Sequence, residues 1–262
     1  MEKYIIVNMS NQFSVVVNTH SSIRDLWGLF FSQLEKHLLI RSVGSPISIK
    51  TTYVFTDDAE GLPTEYQGVL YDKEAMFRTQ YLECLKSVGE EFILYLNEDY
   101  ILYDDVNLEK LAEYLKILKD NPELAFIRFT RGPNITEKNL TSDLFYLSHE
   151  QPFFYSQTAA IWRKSVLQRV HEIGPDTHIG ARGMTEGHFE VGANEVCREL
   201  NLRGVVAYNG EPLRGGHHYD SCIFPYIASA LIRGKWNLKE YPKELLPLLQ
   251  EHKINPQKRS WV

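Results

Sequence analysis

Apolar runs of strand length alternate with amphipathic segments through the first half of the chain. Residues 13–18 are rich in β-branched side chains and predict a strand, after which apolar residues recur at helical spacing from Ile23 to Leu38. The further predicted strands are 47–55, 91–96 and 125–130, and the further predicted helices begin near Lys73 and after Asn107. This alternation of four strands with three helices places the first half of the chain in the α/β class.

The predicted strands are almost wholly apolar. A strand that is covered by helices on both faces has this composition, whereas a strand with one solvated face alternates apolar and polar residues. We therefore expect a Rossmann-like, mainly parallel sheet that is flanked by helices. In such a sheet the ligand binds beyond the carboxyl ends of the strands.

The second half of the chain is less regular. We expect extended structure over 144–147 and 152–162, a helix over 163–172, and a glycine-rich loop over 173–187 that closes over substrate. Helices are expected at about 191–200 and 222–234, with a strand over 204–208 between them. Because no linker or repeat divides the chain, residues 1–262 are expected to form a single domain.

Charge, cysteine content and hydropathy exclude several classes of protein. A net charge of −6 disfavours binding to nucleic acid, which requires a basic face. The three cysteines are far apart and form no C-x-x-C pair, which argues against a zinc ribbon and a disulfide framework. The apolar runs are much shorter than the roughly 20 residues of a membrane span. With no secretory signal in the sequence, we expect a cytoplasmic protein without a membrane span.

The triplet Asn97-Glu98-Asp99 follows the third predicted strand. In an extended chain Asn97 and Asp99 project to one side and Glu98 to the other. A carboxylate at a strand end can hold a divalent cation, and the cation stabilises the negative charge on a departing nucleoside diphosphate. Alternatively, the triplet only caps the end of a strand before a turn.

Three segments of the chain resemble the GT-A family of nucleotide-sugar-dependent glycosyltransferases. Residues 14–21 (SVVVNTHS) resemble the opening strand and turn of that family, where the chain begins to wrap the nucleotide base. Residues 54–58 (VFTDD) are similar to its second strand, which ends in an acidic residue that reads the base. Residues 78–99 resemble its helix, Gly-Glu turn, apolar strand and acidic metal motif. The resemblance covers roughly residues 13–130 well and the remainder loosely.

The resemblance implies a glycosyltransferase that moves a sugar from a UDP- or GDP-sugar to a hydroxyl of a glycan or another acceptor. Residues of about 13–130 would form the donor half of the domain, and residues of about 131–262 the acceptor half. The residues that it places against the nucleotide sugar are Asn18, Thr19, His20, Asp57, Asp58, Arg78, Asn97 and Glu98. Alternatively, Asp57 and Asp58 are turn residues and Arg78 lies on a solvated helix face.

The resemblance also implies a divalent cation, Mn²⁺ or Mg²⁺. The family's pattern is Asp-x-Asp, whereas position 97 of this chain is an asparagine that offers only a neutral amide oxygen. Asp99 is therefore the preferred direct ligand. Some metal-dependent members use a late histidine, for which His217 and His218 are the candidates. A histidine ligand would favour manganese over magnesium.

An inverting transfer needs a carboxylate that takes the proton from the acceptor hydroxyl. Glu186 and Glu190 lie just after the glycine-rich loop, where the family often places its base. Glu190 is preferred because it follows Phe189, as the family's base commonly follows an aromatic residue, and Glu186 is the second candidate. Alternatively, Glu190 only complements the dipole at a helix N-terminus.

Two other functions stay open on sequence grounds. A sugar nucleotidyltransferase generally carries a glycine-rich, basic signature after its first strand, and the turn 18–21 contains neither glycine nor lysine. A catalytically silent nucleotide-sugar binding protein is compatible with Asn97 in place of an aspartate. A dehydrogenase and a serine hydrolase are disfavoured because G-x-G-x-x-G and G-x-S-x-G are absent from the expected places.

Overall fold

The structure of the protein is a computed structural model, and it describes residues 11–132, 138–150, 153–175, 189–215 and 218–262. The first nine strands are β1 (Gln12–Asn18), β2 (Ser48–Thr56), β3 (Gln67–Leu70), β4 (Phe92–Asn97), β5 (Ile101–Leu102), β6 (Leu124–Arg128), β7 (Leu144–Tyr146), β8 (Ala160–Arg163) and β9 (Arg203–Ala207). All of them except the short β5 belong to the large sheet. The short strands that follow are β10 (Leu213–Arg214), β11 (His218–Tyr219), β12 (Tyr226–Ile227), β13 (Leu231–Ile232) and β14 (Lys235–Trp236).

Helices connect most of these strands. They are α1 (Trp27–Leu34), α2 (Ile40–Ser42), α3 (Phe77–Leu85), α4 (Leu108–Asp120), α5 (Lys164–Ile173), α6 (Phe189–Glu199) and α7 (Pro242–Glu251). A 3-10 turn precedes α1, and a π turn joins α1 to α2. Among the described residues, no helix is long and apolar enough to cross a membrane.

The central sheet has eight strands in the order β3-β2-β1-β4-β8-β6-β9-β7. Parallel pairs join β1 to β2 and β4, β2 to β3, and β6 to β9. Strand β8 lies antiparallel between β4 and β6, and β7 lies antiparallel to β9. The prediction of a mainly parallel sheet is therefore confirmed.

Helices cover both faces of the sheet. Leu29 of α1, Leu111 of α4 and Leu245 of α7 belong to the apolar cluster on one face. Tyr81 of α3 and Leu167 of α5, together with residues of α6, belong to the cluster on the other face. Because the interior strands are buried from both sides, they need apolar residues at successive positions, which explains the runs in the sequence.

Helix α4 shows how local sequence sets an element. The side chain of Asn107 accepts a hydrogen bond from the N–H of Lys110 at 3.0 Å and caps the helix. The stripe of Leu108, Leu111, Leu115 and Leu118 is buried against the sheet. The helix ends before Asn121 and Pro122, as the sequence predicts.

The predicted helix over 222–234 is wrong. The segment instead contains β12 and β13, and Tyr226 of β12 pairs with Leu102 of β5. Pro225 disfavours a continuous helix, and Ser229 and Arg233 adopt positive φ angles of 76° and 51°, which a right-handed helix does not contain. Strand β3 and helix α7 were not predicted.

The strand order creates a switch point between β1 and β4. The chain proceeds from β1 outward to β2 and β3, and then returns to place β4 on the other side of β1. The last residues of the two strands, Asn18 and Asn97, are register partners. Ligands of open α/β sheets bind in the crevice that such a reversal leaves at the carboxyl ends.

Candidate functional site

The ends of β1 and β4 are joined by a chain of hydrogen bonds. The indole N–H of Trp27 donates to Oγ1 of Thr19 at 2.9 Å, and the Thr19 hydroxyl donates to the carboxylate of Glu98. The Tyr71 hydroxyl donates to the backbone carbonyl of Thr19 at 2.7 Å. These contacts bring two segments of the predicted donor site, which lie about 80 residues apart in the sequence, to the same edge of the sheet.

Glu98 and Asp99 form a pair of crowded carboxylates at this edge. Part of the surface of each side chain is exposed, but protein atoms surround both carboxylates and remove much of their contact with water. This loss of hydration raises the pKa of Asp99 to about 6. The pKa of Glu98 is raised well above its ordinary value by the same burial and by repulsion from Asp99, against the hydrogen bond from Thr19. A divalent cation would relieve both effects, so this donor set fits the predicted cation.

A second acidic cluster does not offer the same fit. Among the described residues, His37, Asp104 and Asp105 form a group whose ligand atoms lie within 4.8 Å of one another. However, the ring nitrogens of His37 contact Asp105 at 2.8 Å and Gln33 at 3.1 Å, and Arg41 pairs with the other carboxylate oxygen of Asp105. These contacts occupy the histidine and one carboxylate, so we assign no cation to this cluster.

Asn97 and Glu190 are linked through the backbone of one residue. The amide nitrogen of Asn97 donates to the carbonyl of Gln157 at 2.8 Å, and the N–H of Gln157 donates to Oε1 of Glu190 at 2.7 Å. The amide oxygen of Asn97 also accepts from the hydroxyl of Tyr95 at 2.7 Å. The preferred candidate base therefore lies beside the strand end that carries the acidic triplet.

Helix α6 is fixed at its first turn by the segment that precedes β8. The side chain of Asn194 donates to the carbonyl of Glu190 at 2.6 Å and accepts from the N–H of Tyr155 at 2.9 Å. Phe189 is buried, with its ring 4.5 Å from that of His171 and 5.1 Å from that of Phe77. These contacts set the direction in which the Glu190 side chain leaves the helix.

Asp57 holds the turn that follows β1. It accepts hydrogen bonds from the N–H of Ser21 at 2.7 Å and from the Ser21 hydroxyl at 2.6 Å, and Nε2 of His20 lies 3.4 Å away. Burial acts to raise the pKa of Asp57, but these hydrogen bonds and the nearby histidine outweigh it and hold the pKa below its ordinary value. The carboxylate thus acts as a turn residue in the structure, and its contact with a nucleotide base stays a prediction.

Asp58 points to a different partner. It pairs with Arg24 at 2.6 Å, and it accepts from the N–H of Glu60 at 2.9 Å. The hydrogen bond from Glu60, followed by that from Arg24, lowers the pKa of Asp58. Its predicted role in base recognition is likewise untested.

The remaining predicted residues have other neighbours. Arg78 donates to the carbonyls of Glu172 and Gly174 at the end of α5, at 3.3 and 3.1 Å. The buried ring of His218 bonds to the hydroxyl of Tyr241 and stacks on its ring. Glu186 and His217 lie outside the described residues. The roles of Arg78 and His218 in ligand binding stay predictions.

Two residues at this edge of the sheet were not predicted from the sequence. Gln157 contributes through its backbone, which leaves no signature in the residue type. Arg128, at the end of β6, is buried and donates from Nη1 to the carbonyl of Phe153 at 2.6 Å. A lone arginine inside the apolar segment 124–129 was a signal that the sequence offered, because a buried charge is rare without a specific partner.

The chain was compared with protein-family models, curated proteins and solved structures, and only solved structures are similar to it. No family model matches the chain, and no curated protein matches its sequence. Three solved structures are similar over most of their length. UDP-glucose pyrophosphorylase complexed with UDP-glucose is 8% identical, with a TM-score of 0.46 over 74% of this chain and 89% of that one.

The other two are also nucleotidyltransferases. A nucleotidyl transferase from Methanothermobacter thermautotroptrophicus is 13% identical, with a TM-score of 0.44 over 76% of this chain and 88% of that one. The 4-diphosphocytidyl-2C-methyl-D-erythritol synthase from Anaerococcus prevotii is 12% identical, with a TM-score of 0.43 over 76% and 90%. Likenesses at this level carry no argument about activity.

Proposed function

We propose that the protein is a glycosyltransferase that transfers a sugar from a nucleotide sugar to an acceptor hydroxyl, with a divalent cation and inversion at the sugar carbon. The observation that carries this proposal is the Gln157 backbone, which joins Asn97 of the acidic triplet to the carboxylate of Glu190. The strand end that is proposed to hold the cation and a positioned carboxylate then contact the backbone of the same residue. Transfer to a hydroxyl needs these two groups close together.

The donor is proposed to bind across the ends of β1 and β4. The nucleotide lies at the switch point, beside Asn18, Thr19 and the turn that Asp57 holds. Asp99 and Glu98 would hold the cation, which when bound neutralises charge on the departing diphosphate. Thr19 orients Glu98 through its hydroxyl, and Asn97 is kept in place by Tyr95 and Gln157.

Glu190 is proposed to act as the general base. Its Oε1 accepts from the N–H of Gln157, which holds that oxygen beside the strand end. The carboxylate takes the proton of the acceptor hydroxyl while that oxygen forms the new bond to the sugar carbon and the diphosphate leaves. Attack from the face opposite the leaving group inverts the configuration at this carbon.

A sugar nucleotidyltransferase is the alternative, because Asp99 and Glu98 would serve equally to hold the cation of a nucleoside triphosphate. A nucleotidyl transferase is also among the solved structures to which the chain is similar. Its nucleophile is the phosphate oxygen of a sugar phosphate, which is already ionised near neutral pH and needs no base. A hydroxyl nucleophile does need a base, and Glu190 beside the acidic triplet would supply one. This favours the glycosyltransferase.

The two reactions release different products. We would incubate the protein with UDP- and GDP-sugars and sugar acceptors, and separately with nucleoside triphosphates and sugar 1-phosphates, each with Mn²⁺ or Mg²⁺. Glycosyl transfer releases UDP or GDP, whereas nucleotidyl transfer releases pyrophosphate. Pyrophosphate release without nucleoside diphosphate release would replace the proposal by its alternative.

Binding is tested first, by calorimetric titration with UDP and GDP in the presence and absence of Mn²⁺. We expect binding that depends on the cation and is lost in Asp99→Asn. Asp104→Asn is the matched control, because Asp104 is an exposed carboxylate that follows β5 rather than the acidic triplet. Cation-dependent binding that survives in Asp99→Asn would remove this residue from the site. Binding of a nucleotide sugar without any turnover would support the catalytically silent alternative.

A further inference from the structure

Arg128 is a buried cation with an unused hydrogen-bond donor. Its exposed fraction is 5%, and its Nη1 donates to the carbonyl of Phe153 at 2.6 Å. The Nε atom is buried and has no hydrogen-bond partner among the described residues. Burying an arginine costs free energy unless its donors find acceptors. The Nε–H of Arg128 is therefore a donor that a bound acceptor would satisfy.

A second unpaired donor lies near Arg128. Tyr226 is also 5% exposed. Its hydroxyl oxygen lies against the backbone N–H of Ala159, but its hydroxyl proton has no acceptor among the described residues. Its ring packs 5.4 Å from that of Tyr100, which directly follows Asp99. The pairing of β12 with β5 fixes Tyr226 in this place. Tyr226, Tyr100 and Glu190 all lie within electrostatic range of the Arg128 guanidinium.

The position of Arg128 in the sheet identifies which part of a substrate it would meet. Arg128 of β6 is the register partner of Ala160 of β8, which is the partner of Tyr95 of β4. Two strand spacings of about 4.8 Å place Arg128 about 10 Å from β4, on the side away from β1. With the nucleotide at the β1–β4 switch point, this distance takes the substrate past the diphosphate.

We propose that Arg128 and Tyr226 form a subsite for an anionic group, a carboxylate or a phosphate, which the substrate carries beyond its diphosphate. The planar guanidinium matches the oxygens of such a group, and the tyrosine hydroxyl supplies a further donor. The subsite rests on the proposed function, since it takes the nucleotide to lie at the switch point. The anionic group belongs either to the transferred sugar or to the acceptor.

The test compares an anionic and a neutral probe of the same size. For the transferred sugar the pair is UDP-glucuronate and UDP-glucose, or GDP-mannuronate and GDP-mannose if the protein binds GDP. For the acceptor the pair is methyl glucuronide and methyl glucoside, titrated in the presence of Mn²⁺ and saturating UDP or GDP. We expect the anionic member to bind about tenfold or more tightly in one of the two arms, as for a hydrogen bond to a charged group.

Tyr226→Phe is the informative variant, because it removes a hydroxyl proton that has no acceptor among the described residues and keeps the aromatic ring in place. It should reduce the preference for the anionic probe several-fold. Arg128→Gln should abolish the preference, with folding checked by circular dichroism. Tyr81→Phe is the matched control, since it removes another buried tyrosine hydroxyl that has no partner among the described residues and that faces Tyr95 and Tyr155 rather than Arg128. It should leave the preference unchanged.

Two results would overturn the subsite while leaving the proposed function intact. One is equal binding of anionic and neutral probes in both arms by a protein that binds the nucleotide. The other is a preference that Tyr226→Phe and Arg128→Gln do not change. Arg128 would then serve only to balance the charge of Glu190. Failure to bind UDP or GDP at all is a different result, which overturns the proposed function and the subsite with it.

Discussion

Single residues at the edge of the sheet take their roles from neighbours that are distant in the sequence. Glu190 is oriented by the backbone of Gln157, and Glu98 by the hydroxyl of Thr19. Their residue types were predicted as candidates from the sequence, because carboxylates at a strand end and at a helix start are the groups that such a reaction uses. The partners that orient them were not predicted, since neither contact is local.

Replacing Glu190 with glutamine tests its role as base. The amide keeps the shape of the side chain, and its oxygen still accepts from the N–H of Gln157, but it takes no proton. We expect kcat to fall about 10²- to 10⁴-fold with nucleotide affinity little changed. Steady-state release of nucleoside diphosphate measures the first quantity and calorimetry the second. Glu195→Gln, an exposed position on the same helix, is the control. A kcat within about threefold of the parent protein would exclude Glu190 as the base.

The stability of the protein should depend on the protonation of His171. The buried ring lies between those of Tyr81, at 4.3 Å, and Phe189, at 4.5 Å, and burial lowers its pKa from the ordinary 6.5 to about 3. The folded state therefore holds the neutral ring while the unfolded state takes up a proton below pH 6.5. Its contribution to stability is present above that pH and is lost progressively as the pH falls from 6.5 toward 3.

Urea denaturation of His171→Phe checks this dependence. For the parent protein, His171 should account for about 2 kcal/mol of lost unfolding free energy between about pH 7.5 and about pH 5. The phenylalanine variant keeps the ring stack but removes the partner of the Tyr155 hydroxyl, so it starts about 1 kcal/mol less stable and loses less on acidification. An equal loss in both proteins would contradict the assignment.

At the scale of elements, the sequence predicts regular segments well and irregular ones poorly. The strands of the first half and helix α4 agree with their predicted positions because each has one dominant period and a clear cap or stop. The segment 222–234 is apolar without a period that separates helix from strand. Its short strands exist because β12 finds an edge partner in β5, which is a tertiary contact.

The contact of β9 with β6 leaves no room for a side chain at Gly204. A Cβ atom there would lie 2.2 Å from the ring of Phe126, which packs 4.2 Å from the ring of Trp162 of β8. Gly204→Ala should therefore displace the ring and lower the free energy of unfolding by about 1–3 kcal/mol. Thermal and urea denaturation measure this loss.

Gly28→Ala is the contrasting control for this substitution. Gly28 lies in α1 with no atom within 4 Å of its would-be Cβ. The same chemical change should stabilise the protein there by about 0.5–1 kcal/mol, because alanine is the better helix former. Similar effects at the two glycines would show that the close approach of β9 to Phe126 does not limit the packing.

At the scale of the whole molecule, residues of the segment 218–262 share an apolar cluster with residues of the first strand. Trp236, Tyr241 and Leu245 belong to the same apolar cluster as Val15 of β1. The N–H of Asn107 donates to the carbonyl of Ile223 at 2.9 Å, and the N–H of Ala230 donates to the carbonyl of Asp99 at 2.9 Å. Ala230 therefore binds the backbone of the acidic triplet directly. The prediction of one domain, with a donor and an acceptor half, stays a prediction.

Truncation tests whether the two parts fold together. A chain that ends at residue 209 would lose β12, α7 and the cover of Ile101 and Leu102, which are buried in the intact protein. We expect such a chain to lose cooperative thermal unfolding, because the shared core can no longer exclude water. Circular dichroism and calorimetry of the intact and shortened chains measure this. A sharp transition in the shortened chain would show that the first part folds independently.

The sequence by itself determined the class of the fold, most of its strands and helices, and the residue types that stand at the strand ends. These features depend on burial and periodicity, which are properties of short segments. Only the tertiary structure decided that β4 lies beside β1, that β8 enters antiparallel between β4 and β6, and that Asn97 meets Glu190 through Gln157. Such contacts depend on which distant segments pack together most favourably, and the pattern within one segment does not record that competition.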